Sequence, residues 1–174
     1  MAKILFIAAQ VGFRDEELLQ PKEILKDHQI FIASKTLSTA RGVLGHEIKP
    51  DLTLEEALKK VDEFEAIIYV GGPGAEAYLK DYAALELVKK AYESEKVKIL
   101  AAICLSPLIL AEGGVLKGKQ ATVWDPGDKT NIRKLELKGA KFVDKNVVQD
   151  GKLITANGPG AAKEFGILIA KNLK

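Results

Sequence analysis

The chain has 174 residues, 47% hydrophobic and 29% charged, which fits one soluble globular domain over residues 1–174 with room for a sizeable core. Its formal net charge is only +2, with no basic patch interleaved with aromatics, so nucleic acid is a poor partner, and no apolar stretch is long enough to span a membrane. One cysteine excludes an intrachain disulfide and suits a reducing cytoplasm, and with two scattered histidines it argues against a zinc site.

The N-terminus lacks the long apolar region of a secretory signal and starts like a strand. Abundant Lys and Glu with rare Cys, Met and Trp lean towards a heat-adapted source. Lys3 to Ala9 predicts a first strand, apolar as in a parallel sheet. Gln10 to Arg14 reads as a loop, and Asp15 or a neighbour caps a helix running to Lys26 with Pro21 inside it. Gln29 to Ser34 is the next strand, and Ser38 to Lys49 holds short β segments that turn at Gly42 and Gly45. Thr53 with Glu56 three positions later forms a capping box. Ala66 to Val70 predicts a buried strand ending at Gly71-Gly72-Pro73-Gly74. A helical region from Glu76 to Glu95 follows, interrupted near Asp81.

Ile99 to Ile103 is an apolar strand that runs straight into Cys104. Ser106 and Pro107 then open a helix, Ser as its N-cap and Pro in its first turn, which stops at Gly113-Gly114. Ala121 to Trp124 predicts a strand, Lys129 to Lys138 a helix. Phe142 to Gln149 and Lys152 to Ala156 predict strands joined at Asp150-Gly151. Asn157-Gly158-Pro159-Gly160 leads into a last helix, Ala161 to Leu173. Alternating buried strands and amphipathic helices specify an α/β class: a doubly wound, mostly parallel, flavodoxin-like sheet flanked by helices in a three-layer sandwich.

Cys104 falls at a strand-to-helix corner, the geometry of a nucleophile elbow with sulfur for oxygen. A helix N-terminus there favours a thiolate and lowers the thiol pKa. Taken alone, a cysteine after an apolar run is more often a small buried hydrophobe. Ligands of doubly wound sheets bind beyond the C-terminal strand ends, where the first loop with Glu16 and Glu17, the Gly71-Gly72 loop and Cys104 all lie. The N–H groups of Gly72 and Leu105 fit an oxyanion hole, and a carboxyl from the first loop fits a thiol partner if burial raises its pKa. The competing readings are a tight turn for the glycines and a solvated first helical turn for the two glutamates.

These stretches resemble the ThiJ/PfpI superfamily, with its Parkinson-associated deglycase-like and intracellular protease I-like branches and its class I glutamine-amidotransferase-like fold. The resemblance runs over nearly the whole chain. Phe13-Arg14-Asp15-Glu16-Glu17-Leu18-Leu19-Gln20-Pro21 is similar to the family's first-loop motif, in which a Glu stands four residues before a Pro, and this selects Glu17 over Glu16 as the thiol-partner acid. Gly71-Gly72 resembles its oxyanion glycines, Ala101-Ala102-Ile103-Cys104-Leu105-Ser106-Pro107 its cysteine elbow, and Asn157-Gly158-Pro159-Gly160 its C-terminal helix start. The chain departs from the protease-like branch at Leu105, where those members carry a His. It departs from many deglycase-like members at Trp124 and Asp125, where a His follows the strand. His28 and His46 are read as distant from the site, and Glu76 as the counterpart of an intersubunit acid or simply a helix start. Gly71, Glu76, Trp124, Asp125 and Asn157 are candidate pocket residues, with Trp124 read more readily as core.

The resemblance implies a cysteine-dependent enzyme without cofactor or metal, a hydrolase or lyase of the glyoxalase III or deglycase type. Its substrates would be small reactive carbonyls or glycated protein, with Cys104 as nucleophile and Glu17 as proton shuttle. Two alternatives stay open. One is an oxidation-sensing stress protein or chaperone that carries a Cys104 sulfinate. The other is an intracellular cysteine peptidase, against which Leu105 argues. Relatives assemble through surfaces near the site, so a homodimer or higher homo-oligomer is expected.

Overall fold

A computed structural model describes residues 1–174. In chain order its strands are β1 (Lys3–Ile7), β2 (Val11–Phe13), β3 (Gln29–Ser34), β4 (Ala40–Gly42), β5 (Glu47–Ile48), β6 (Leu52–Thr53), β7 (Ala66–Tyr69), β8 (Ile99–Ile103), β9 (Gln120–Ala121), β10 (Lys141–Phe142), β11 (Val147–Asp150) and β12 (Leu153–Ala156). Its α-helices are α1 (Asp15–Ile24), α2 (Leu54–Lys59), α3 (Tyr82–Glu93), α4 (Pro107–Glu112), α5 (Thr130–Leu137) and α6 (Ala162–Asn172). A seven-stranded sheet runs in the order β11-β12-β8-β7-β1-β3-β6. Every neighbouring pair is parallel except β11 with β12.

The apolar runs are continuous because the sheet is buried on both faces. Along β8, Leu100 and Ala102 join one core, while Ile99, Ala101 and Ile103 join the other. The first core is closed by α2, α3, α4 and α5, the second by α1 and α6. On α3, Ala84, Leu87, Val88 and Ala91 make the buried stripe at helical spacing. Lys152 Nζ ties the β12 end to α3 by donating to the carbonyls of Ala91, Tyr92 and Ser94 at 2.9–3.0 Å. No helix is long and apolar enough to cross a membrane.

Register sets the site. Ile7 pairs with Tyr69, Tyr69 with Ala102, and Ile103 with Ala156. The loops leaving β1, β7, β8 and β12 therefore emerge side by side at one edge of the sheet.

Several boundaries differ from the sequence reading. The loop expected over Gln10 to Arg14 contains β2, which joins β4 and β5 in a small three-stranded sheet. Asp15 does not cap α1; its buried carboxylate accepts from the Leu44 and His46 N–H groups and anchors that small sheet. The strand expected over Ala121 to Trp124 shortens to β9, because Thr122 N–H donates to the Thr155 side chain at Oγ1 and Trp124 N–H to the Cys104 carbonyl instead of to the backbone of a neighbouring strand. The strand expected over Phe142 to Gln149 divides into β10, paired with β9, and β11, paired with β12. The helical region from Glu76 is a 3₁₀ segment over Pro73–Tyr78, and α3 starts afresh where Asp81 accepts from Ala84 N–H. Thr53 caps α2 by accepting from Glu56 N–H.

Candidate active site

Cys104 follows β8 and adopts φ 67°, a left-handed conformation that costs a residue with a Cβ about 1 kcal/mol. Neighbouring backbone holds it there. Its N–H donates to the Ala156 carbonyl at 2.9 Å, and its carbonyl accepts from Trp124 N–H at 2.8 Å. Ser106 stands at the N-cap position expected of it, but its side chain caps nothing. Its backbone is already helical and its buried hydroxyl donates to the Val70 carbonyl at 2.6 Å. That bond ties the turn after β8 to the end of β7, so the cysteine corner and the glycine loop are held together.

The glycine loop packs where side chains have no room. A Cβ on Gly71 would come within 2.4 Å of Cys104 Cβ and 2.5 Å of Glu17 Oε1. Gly72, at φ 103°, would press a Cβ to 2.5 Å from Arg14 N and Gly12 O. The bare backbone lets the Gly72 N–H face the Cys104 sulfur, and the Leu105 N–H faces it as well. The two groups that the sequence suggested for an oxyanion hole thus converge on one atom. Gly71 lies behind the sulfur rather than lining the open cavity.

The first turn of α1 separates two adjacent glutamates. Glu16 is half-buried and pairs with Arg14, Oε2 to Nε at 2.9 Å, while its Oε1 is buried without a hydrogen-bond partner. Glu17 is fully buried, with its carboxyl against the Cys104 thiol and the Gly71 N–H. No well-aligned hydrogen bond satisfies either of its oxygens. Burial pushes its pKa up to about 8, against the smaller opposing pull of the Cys104 contact and the Arg14 charge. Burial and then the charge of an ionised Glu17 push the Cys104 thiol up, while the Gly72 and Leu105 N–H groups favour the thiolate. The helix-terminus effect expected from the sequence is therefore opposed by larger ones, and a protonated Glu17 is what removes the repulsion. Acid and thiol titrate as a coupled pair.

Above Cys104 opens a cavity of about 320 Å³, lined by Arg14, Gly72, Pro73, Leu105, Trp124 and Pro159. Trp124 is partly exposed and forms a wall, not core. Beyond it lies a second cavity of about 380 Å³, which shares Trp124 and Pro159 and is lined also by Asp125 and Asn157. The Asp125 carboxylate is occupied in accepting from the N–H groups of Gly127, Lys129, Asn131 and Ile132, so it caps α5. Asn157 contacts Asn146. Glu76 is exposed on the 3₁₀ segment and lines neither cavity. His28 accepts from the Ala2 N–H and His46 is exposed beside the small sheet; neither lines a cavity at Cys104. No group of three or more His, Cys, Asp or Glu side chains converges as metal ligands would.

Arg14, Pro73 and Pro159 line the cysteine cavity without having been singled out as pocket residues. The prolines stand inside the Gly-Pro-Gly runs, which did point to loops at the strand ends. Arg14 stands in the first-loop motif, but only its position just before α1 turns its side chain into the cavity.

Known proteins share this arrangement of chain. Deglycase PfpI of Pyrococcus furiosus is 35% identical over 162 residues, covering 91% of each chain. An uncharacterized protein of Methanocaldococcus jannaschii is 39% identical over 176 residues, covering 99% of this chain and 83% of its own. The crystal structure of a ThiJ/PfpI domain protein from Brachyspira murdochii matches with a TM-score of 0.91 at 28% identity, over 98% of this chain and 95% of that one. The sequence pattern of the DJ-1/PfpI family extends over residues 2–172, and the chain belongs to that family.

Proposed function

We propose that the chain is a cysteine-dependent enzyme of the deglycase or glyoxalase III type, acting without cofactor on α-oxoaldehydes or their adducts on protein amines and thiols. The observation that carries this reading is the Glu17 carboxyl, buried without an aligned hydrogen bond against the Cys104 thiol. A pKa near 8 suits a group that gives and takes protons at neutral pH. Relatives that bear the name deglycase support the reaction class.

The chemistry balances with one proton shared by the pair. The Cys104 thiolate bonds to the aldehyde carbon, and the carbonyl oxygen becomes an alkoxide facing the Gly72 and Leu105 N–H groups. Glu17 gives that oxygen its proton, leaving a hemithioacetal and a carboxylate. The carboxylate then takes the proton from the former aldehyde carbon and returns one to the adjacent carbon, while the hydroxyl proton passes from the former aldehyde oxygen to the neighbouring oxygen, producing a 2-hydroxy thioester. Water breaks the thioester, releasing a 2-hydroxy acid and restoring the thiolate with a protonated Glu17.

Methylglyoxal turnover tests this. The expected result is measurable 2-hydroxy acid from the wild type, none from Cys104→Ser, and a loss of about 10²–10⁴-fold in Glu17→Gln, the range for removing an acid–base group. Turnover that survives in both variants would overturn the assignment. A second reading, an oxidation sensor, is favoured by one observation: Leu105 rather than a base follows Cys104, and oxidation needs a thiolate but no relay. Peroxide that adds two oxygens to Cys104, in a protein without turnover, selects it.

A further inference from the structure

Arg14 is the one charged side chain lining the cavity above Cys104. Its backbone is extended just before α1, and its N–H donates to the Gly71 carbonyl at 2.9 Å, so its position is fixed to the glycine loop. Glu16 holds the guanidinium by Nε alone. Both Nη groups are left without a side-chain partner. A guanidinium has a second donor edge made by its two Nη groups, and that edge matches the two oxygens of a carboxylate. Besides Cys104, the other lining residues are glycine, prolines, leucine and tryptophan, so Arg14 is met by one carboxylate, Glu16 on Nε, and the lining itself carries none.

We propose that Arg14 sets substrate specificity by holding the carboxylate of an anionic α-oxoaldehyde while Cys104 takes the aldehyde carbon. The inference rests on the function proposed above. It names the preferred class: α-oxoaldehydes whose far carbon carries a carboxylate, ahead of neutral ones such as methylglyoxal. The covalent steps and proton transfers are those already given, and the carboxylate takes no part in them.

Two measurements separate this inference from the reading beneath it. Iodoacetate and iodoacetamide alkylate the same sulfur and differ by one negative charge. The ratio of their rates at Cys104 cancels any change in thiolate fraction, including one caused by removing the Arg14 charge from beside Glu17. Arg14→Met is expected to lower the iodoacetate-to-iodoacetamide ratio about tenfold, the loss of one charge-assisted contact, while Arg14→Lys retains part of it. In turnover, Arg14→Met is expected to raise KM for 4,5-dioxopentanoate about tenfold relative to KM for methylglyoxal, a ratio in which any effect of the Arg14 charge on Glu17 cancels. An alkylation ratio that Arg14→Met leaves unchanged overturns the proposal, whatever the protein does to aldehydes. Equal KM changes for the two aldehydes overturn it as well, because a merely structural Arg14 would affect both. A charge-dependent ratio in a protein that turns over neither aldehyde keeps the anion contact and removes the enzymatic reading.

Discussion

Glu17 is easier to keep neutral than charged, and this gives the fold a pH dependence of definite sign. Its carboxyl ionises at about 4.5 when solvated and at about 8 in the folded chain. Between those values the folded state keeps a proton that the unfolded state has released. Stability from this group is therefore complete below about pH 4.5, falls as pH rises, and levels off above about 8. The fall is several kcal/mol, at ~1.4 kcal/mol for each pH unit of that window. Glu17→Gln removes the ionisation. Urea midpoints at pH 5, 6.5 and 8 are expected to fall with pH in the wild type, stay nearly level in Glu17→Gln, and place the variant as the more stable protein at pH 8. A wild-type midpoint that does not fall across this window would show that Glu17 is already ionised in the folded chain at pH 5. The strand end before Cys104 was legible in the sequence, while the residues alone left Glu16 and Glu17 open and the family resemblance selected Glu17. The competition over the thiol was not legible, because burial of one side chain by another from 87 positions away leaves no local mark.

The α1–α6 contact positions Glu17 from below, and it depends on a close approach of two backbones. Gly166 of α6 faces Pro21 of α1, where a Cβ would lie 2.9 Å from Pro21 Cα and 3.0 Å from Ile24 Cδ1. Alanine is a better helix former than glycine by about 1 kcal/mol. Overpacking against a rigid ring typically costs about 1–3 kcal/mol, and here it wins. Gly166→Ala is expected to lower unfolding stability by ~1 kcal/mol or more; a gain would show that the two helices part freely. Long apolar runs such as Ile99 to Ile103 identified their strands because burial on both faces leaves no polar interruption. Val11–Phe13 did not, since three residues with an exposed valine carry no period. Phe142 to Gln149 read as one strand because its break at Val143 to Asn146 comes from which partners β10 and β11 find.

At the scale of the whole molecule, two cores share one sheet, and neither face can be built without it. Lys152 adds a tie from β12 to the end of α3. We propose that residues 1–174 unfold as one cooperative unit. Trp124 is the only tryptophan and stands at the site edge, so its emission reports the loops, whereas far-UV circular dichroism reports helices and sheet. Coincident urea transitions by the two probes are expected; an earlier Trp124 transition would mean that the site loops melt independently. The sequence supplied the layer class, through its alternation of strand and helix and its family resemblance. The strand order was beyond it, because β8 lies between β7 and β12 through contacts made far along the chain.

The left-handed backbone at Cys104 also bears on inheritance. One base change turns a cysteine codon into a glycine codon, and glycine accepts φ 67° without strain. The relief is about 1 kcal/mol, and it roughly offsets the loss of a small buried side chain. Folding alone therefore gives a lineage little reason to keep the sulfur. Cys104→Gly is accordingly expected to unfold within about 1 kcal/mol of the wild type, so that a loss of turnover in that variant would report the sulfur and not the fold.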